Sequence, residues 1–146
     1  VGLPWPGGKA VTPADPPALT EVVPVRWGDM DALGHVNNCA FFTYCESARM
    51  AFFVSLELER FSGPEQGVVL ATASCTFKRQ VHYPATLAVE VRVGRVGRSS
   101  FTLHYDLLDQ ASGESVASGE SVVVWASYTG GGSIPLPDEI KAALGG

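Results

Sequence analysis

The chain has 146 residues, of which 46% are apolar and 17% charged, enough for one cored domain and too few for two of ordinary size. A formal net charge of −5 excludes a general nucleic-acid binder, which carries a basic excess. No apolar run approaches the roughly 20 residues of a membrane span, and the low charged fraction points to surface that is covered in an oligomer.

In chain order, residues 1–18 are rich in Pro, Gly and Ala and lack the apolar centre of a secretory signal. They read as a flexible arm. Leu19 to Trp27 alternates loosely around Val22, Val23 and Val25, which predicts a first strand, with Pro24 placing it at an edge or a bend. The Gly-punctuated loop GDMDALGH follows. Asn37 or Asn38 then caps a helix running to about Leu56. Phe41, Phe42, Tyr44, Cys45, Ala48, Met50, Phe52 and Phe53 cover nearly all of its circumference, and a helix apolar all round is expected to be buried.

From Gly67 the pattern changes to strands, Val68 to His82, Leu87 to Val96, Ser99 to Leu108 and Ser115 to Tyr128. The breaks at Tyr83-Pro84, Gly97-Arg98 and Ala111-Ser112-Gly113 have turn chemistry and predict an antiparallel meander. After GGGSIPLP, a short amphipathic helix is expected over Asp138 to Leu144. One strand, one buried helix and four long strands make an α+β chain whose sheet must curl around the helix. That architecture is the hotdog fold. Its domain spans residues 19–128, between the arm and a tail of residues 129–146.

Cys39, Cys45 and Cys75 are odd in number, and Cys39 and Cys45 point to different faces of the helix. Without a CxxC or a Cys/His cluster, the thiols suggest a reduced, cytoplasmic setting and no metal. Lys78, Arg79, Arg92, Arg95 and Arg98 form a local basic cluster opposed only by Glu90 in that stretch. It is either a solvated strand face or a site for a polyanionic ligand.

The segment Arg26 to Arg49 carries the chemistry. Asp29 and Asp31 sit in a loop that leads into the start of the buried helix, where unpaired amides favour negative charge. Such amides polarise a carbonyl oxygen, and a carboxylate beside them can attack the carbonyl carbon or activate water. Asp29 can equally cap a turn or pair with Arg26. Gly34 supplies a backbone conformation closed to other residues. His35 can be a base or shape the loop, and Glu46 can pair with Arg49 or face a pocket.

The string Asp29-x-Asp31-x-x-Gly34-His35-Val36-Asn37-Asn38, followed by Glu46-x-x-Arg49, resembles the hotdog thioesterases of the 4-hydroxybenzoyl-CoA thioesterase type. The likeness is strong from Val25 to Phe53 and continues in order of elements to about Trp125, with the arm and tail outside it. It implies Asp31 as the catalytic carboxylate and the Asn38 amide as donor to the thioester carbonyl. It keeps Glu46 as a further catalytic candidate, beside His35 from the reading of the loop. It also implies that Arg95, Arg98, Ser99 and Ser100 meet the CoA moiety of the substrate. One departure is Ala85-Thr86, where the family often has a Gly-Asp turn before the third strand. The implied reaction is hydrolysis of an acyl-CoA without metal or redox cofactor, CoA being part of the substrate, in a homodimer paired into a homotetramer. The rival readings are a hotdog enoyl-CoA hydratase and an acyl-CoA-binding protein without turnover.

Overall fold

The computed structural model describes residues 15–145; most of the arm, residues 1–14, lies outside them. Five strands, β1 (Leu19–Pro24), β2 (Gln66–Phe77), β3 (Thr86–Val96), β4 (Ser100–Asp109) and β5 (Ser115–Ser127), form one antiparallel sheet. A long helix, α1 (Asn38–Ser55), lies on one face, and a short one, α2 (Asp138–Ala143), closes the chain. The α+β hotdog architecture expected from the order of elements is therefore present.

The sheet order is β1-β3-β4-β5-β2, so only β3, β4 and β5 form a meander. The expected four-strand meander is wrong at its first step. The edge of β3 that β2 would have used is taken by β1, paired from Leu19↔Val91 to Pro24↔Thr86. The link over residues 78–85 is too long for a tight hairpin and crosses instead, leaving β2 on β5 at the far edge. Pro24 at the end of edge strand β1 costs no ladder bond that a central strand would need.

Period-two alternation builds the core. Leu87, Val89 and Val91 of β3, Leu103, Tyr105 and Leu107 of β4, and Val123 and Trp125 of β5 are all buried. Against them α1 sets Phe41, Tyr44, Cys45, Ala48, Phe52 and Phe53. Each large side chain buried there contributes about 1.5–3 kcal/mol. Ala48 has no exposed surface and lets the helix approach closely.

The helix is not buried on every side. Phe42, Met50 and Val54 remain exposed, in line with Glu46 at i+4 spacing. Beside them the edge strand β2 exposes Val69, Leu70 and Phe77. The all-round apolar pattern therefore reads as two contact faces, one for this chain's own sheet and one left open.

The tail is no appendage. Leu136, Ile140 and Leu144 are buried in the core, while the Ile134 and Leu136 amides donate to the Trp125 and Arg98 carbonyls. Order also begins before Leu19: the Ala18 amide donates to the Val91 carbonyl, and Arg92 Nε donates to the Asp15 carbonyl at 2.7 Å.

Candidate active site

The loop between β1 and α1 is folded by its own polar groups. Asp29 Oδ2 accepts from the Arg26 amide at 2.9 Å and from the Tyr44 hydroxyl at 2.7 Å. Burial and the adjacent Asp29 carboxylate push the Tyr44 hydroxyl well above the ordinary phenol range, so it remains a donor. The Asp29 carbonyl also accepts from the Asn37 amide at 2.9 Å, tying the loop's start to the helix entrance. Asp29 is thus a building residue, as its turn-capping reading expected, with the backbone of Arg26 rather than its side chain as partner.

Asp31 is placed differently. Its Oδ1 accepts only the nearby Leu33 amide at 2.8 Å, an Asx turn. Among the described residues, no hydrogen bond engages its Oδ2, and the residue is half-buried. The Asp31 amide donates to the His35 carbonyl and the Gly34 amide to the Asp31 carbonyl. This closes a tight loop that needs Gly34 at φ 87°.

The crossing link pins the same loop from outside. The Val36 amide donates to the Val81 carbonyl at 2.8 Å, and His82 Nδ1 donates to the Gly34 carbonyl at 2.9 Å. His35 stands edge-on to His82, ring centroids 6.1 Å apart. Its surroundings fit the loop-shaping reading.

At the helix entrance the side chain of Asn37 caps α1 by accepting from the Cys39 amide at 3.0 Å. Asn38 is then the first helical residue, exposed, and no hydrogen bond among the described residues uses its amide. An unpaired N–H at a helix start can polarise a carbonyl, and a carboxylate with a free oxygen in the loop that leads into it can attack that carbonyl or activate water.

Further along α1, a cavity of about 160 Å³ opens between α1 and β2, floored by β4 and β5. Phe42, Cys45, Glu46 and Arg49 line it from the helix, Leu70 and Cys75 from β2, with Tyr105, Glu120 and Ser121 below. Glu46 does face a pocket, but its side chain is 64% exposed and stands 4.0 Å from Arg49. Arg49 is buried and reaches the Tyr105 hydroxyl at 3.4 Å, which in turn meets Ser121 Oγ at 2.6 Å. Glu120 Oε1 is buried with no hydrogen-bond partner among the described residues. Tyr44, His82, Tyr105 and Glu120 escaped the sequence reading. Tyr44 looked only like part of the apolar coat, although its hydroxyl needed a partner once buried.

A second hollow, of about 330 Å³, lies at the β3–β4 turn and is lined by Arg95, Gly97, Arg98, Ser99, Ser100, Thr102 and Val122. The basic cluster divides around it. Arg79 pairs with Glu114 at 2.7 Å, Lys78 donates to Ser115, and Arg92 is buried beside Glu90. Only Arg95 and Arg98, both exposed, face the hollow. The two candidate regions are at opposite ends of β3, whose 11 residues span roughly 35 Å at about 3.3 Å each. Asp31 and Arg98 of one chain therefore do not share a site.

No group of three or more His, Cys, Asp or Glu side chains that could hold a metal occurs among the described residues. No helix there is long and apolar enough to cross a membrane.

Residues 25–144 match the thioesterase-like superfamily, well past the limit near Trp125 expected from sequence and through the tail. The Bacillus subtilis protein YsmA, itself uncharacterized, is 34% identical over 122 residues, covering 84% of this chain and 82% of that protein. Among solved structures, the PA2801 protein of Pseudomonas aeruginosa, assigned by name to the thioesterases, is 39% identical with a TM-score of 0.79. That match covers 86% of this chain and 96% of PA2801. Slr0204 of Synechocystis, a 1,4-dihydroxy-2-naphthoyl-CoA thioesterase, shares the fold with a TM-score of 0.78 at 22% identity, covering 86% and 93% of the two chains. By its sequence, fold and relatives, this chain belongs to the thioesterase-like superfamily and is a thioester hydrolase.

Proposed function

We propose that the chain hydrolyses an acyl-CoA to a free acid and CoA, with Asp31 as the catalytic carboxylate and the Asn38 amide as donor to the thioester oxygen. The observation that carries this is the difference between two carboxylates. Asp29 spends its side chain on Arg26 and Tyr44, whereas Asp31 keeps an oxygen unengaged at the helix entrance. Either Asp31 attacks the carbonyl carbon directly or it takes a proton from an attacking water. Charge then develops on the carbonyl oxygen, where an oriented amide supplies about 2.7–4 kcal/mol of transition-state stabilisation. Both routes release the CoA thiol.

The acyl group runs from Asn38 toward the α1–β2 cavity, which Phe42 and Leu70 make partly apolar. The CoA phosphates bind the hollow of Arg95, Arg98, Ser99 and Ser100. Because that hollow is a sheet's length from Asp31 in one chain, the reading needs a second copy, whose basic turn meets this chain's Asp31. The open edge of β2 and the stripe of Phe42, Met50 and Val54 offer the surface for such a homodimer, extending the sheet across the boundary. Pairing of dimers makes the homotetramer. Free thiols throughout suit a reducing cytoplasm.

The test is release of free thiol from a panel of acyl- and aryl-CoAs by the wild-type protein and by Asp31→Asn. Release that collapses in the variant, with its melting temperature kept, supports the assignment. Release unaffected by the substitution moves the role to Glu46 or His35. No release from any ester, with an enoyl-CoA losing its conjugation instead, replaces hydrolysis by hydration.

A further inference from the structure

The cavity between α1 and β2 holds a chemistry that hydrolysis does not use. Cys45 of α1 and Cys75 of β2 both line it, and they converge above one glycine. Gly119 is the register partner of Cys75 in the β2–β5 ladder. A methyl group on Gly119 would stand 3.3 Å from Cys45 Sγ and 3.4 Å from Cys75 Sγ. The space that a side chain would fill at position 119 is therefore the space the two sulfurs share. The two thiols also shift each other's titration: Cys45 as neighbour holds Cys75 below the ordinary thiol range, and Cys75 as neighbour, together with burial, raises Cys45. Cys75 is partly exposed and Cys45 buried, while the third thiol, Cys39, is exposed near the start of the helix.

We propose that Cys45 and Cys75 are an oxidisable dithiol, in which a hydroperoxide entering the cavity converts the pair to a disulfide between α1 and β2. The Cys75 thiolate attacks the peroxide, an S–O bond forms and the O–O bond breaks, giving Cys75 sulfenic acid and releasing hydroxide, or alkoxide from an organic peroxide. Cys45 sulfur then attacks the sulfenic sulfur, the S–S bond forms, the S–O bond breaks and the Cys45 proton leaves with the oxygen as water. Two thiols lose two electrons in total and the peroxide gains them. The new bond, about 2.05 Å long, draws the cavity wall of β2 onto the helix. A thiol disulfide such as oxidised glutathione reaches the same product by exchange.

The site is tested on the full chain carrying Cys39→Ser, in which only the two thiols remain. After hydrogen peroxide, both thiols are expected to disappear together in the denatured protein, with a mass lower by two hydrogens. A peptide joining Cys45 to Cys75 is expected, and dithiothreitol restores both thiols. In Cys45→Ser, Cys75 should instead gain oxygen without a cross-link. In Cys75→Ser, Cys45 should oxidise at least about tenfold more slowly, reflecting the loss of the accessible attacking thiol. Oxygen added at Cys75 while Cys45 stays free, or a Cys45 rate indifferent to Cys75, overturns the proposal. None of these readouts needs a thioester. The consequence for turnover does rest on the thioesterase reading: cross-linked protein is expected to lose activity several-fold and regain it with dithiothreitol, and full activity after complete cross-linking overturns that consequence.

Discussion

At the end of the sheet where β1 turns into α1, the chain is tied at almost every residue. Asp29 is held by Arg26 and Tyr44, Asn37 by Asp29, Val36 by Val81, and the Gly34 carbonyl by His82. At the opposite end, the β3–β4 turn presents two arginines, with no ion pair among the described residues, and two serines around an open hollow. The first region fixes a few atoms with many hydrogen bonds, as positioning for bond making requires. The second offers charge and hydroxyl groups with little fixed geometry, as binding a flexible polyanion allows. Damage at the first end should therefore lower turnover, and damage at the second should weaken binding.

After loss of the Asp31 carboxylate itself, the largest expected effect on this contrast comes from Asn38→Pro. Proline is tolerated at the first helical position, and Asn37 already has the extended backbone that a following proline demands. The substitution removes the amide and keeps the helix, so kcat should fall by about 10²–10³ while the helical circular dichroism is unchanged. An unaffected kcat would place the oxyanion donor elsewhere.

A smaller effect is expected at the basic turn. With Arg95 and Arg98 both changed to Ala, KM for an acyl-CoA should rise by about tenfold, close to 1.4 kcal/mol, with kcat little altered. The difference from wild type should shrink as salt is raised. If kcat falls and KM does not, the two ends do not divide the work in this way.

The smallest effect concerns the scaffold of the loop. Tyr44→Phe leaves the ring in the core but removes the donor to Asp29, costing about 1–2 kcal/mol in urea unfolding. Turnover should drop by less than in Asn38→Pro, because Asp29 retains the Arg26 amide.

Much of the fold was legible because alternation, glycine and proline breaks, and a cap are local signals. Most elements from β1 through α2 fall within a few residues of their expected bounds, but β2 ends at Phe77 rather than the expected His82. The crossing of β2 was not legible, since nothing in residues 78–85 announces which edge is already occupied. The packing of the tail was not legible for a related reason. Leu136, Ile140 and Leu144 make an apolar stripe, but only the finished sheet shows the surface they cover. At the site, Asp31 and Asn38 were legible as a motif. The difference in hydrogen bonding between Asp29 and Asp31 needed Tyr44, fifteen residues on, to be seen reaching back. The convergence of Cys45 with Cys75 over Gly119 depends on strand register and was invisible in the sequence. The basic cluster came apart for the same reason, because neighbours in sequence belong to opposite ends of the sheet.

The central claim is that two carboxylates in one loop have separate tasks, one structural and one chemical. Side-by-side measurement of thioester turnover and melting temperature for Asp31→Asn and Asp29→Asn tests it most directly. Asp31→Asn should lose turnover by about 10³-fold or more and keep its melting temperature, while Asp29→Asn should lower the melting temperature and retain more activity. Full turnover in Asp31→Asn, or the larger loss of turnover in Asp29→Asn with its stability intact, would contradict the account.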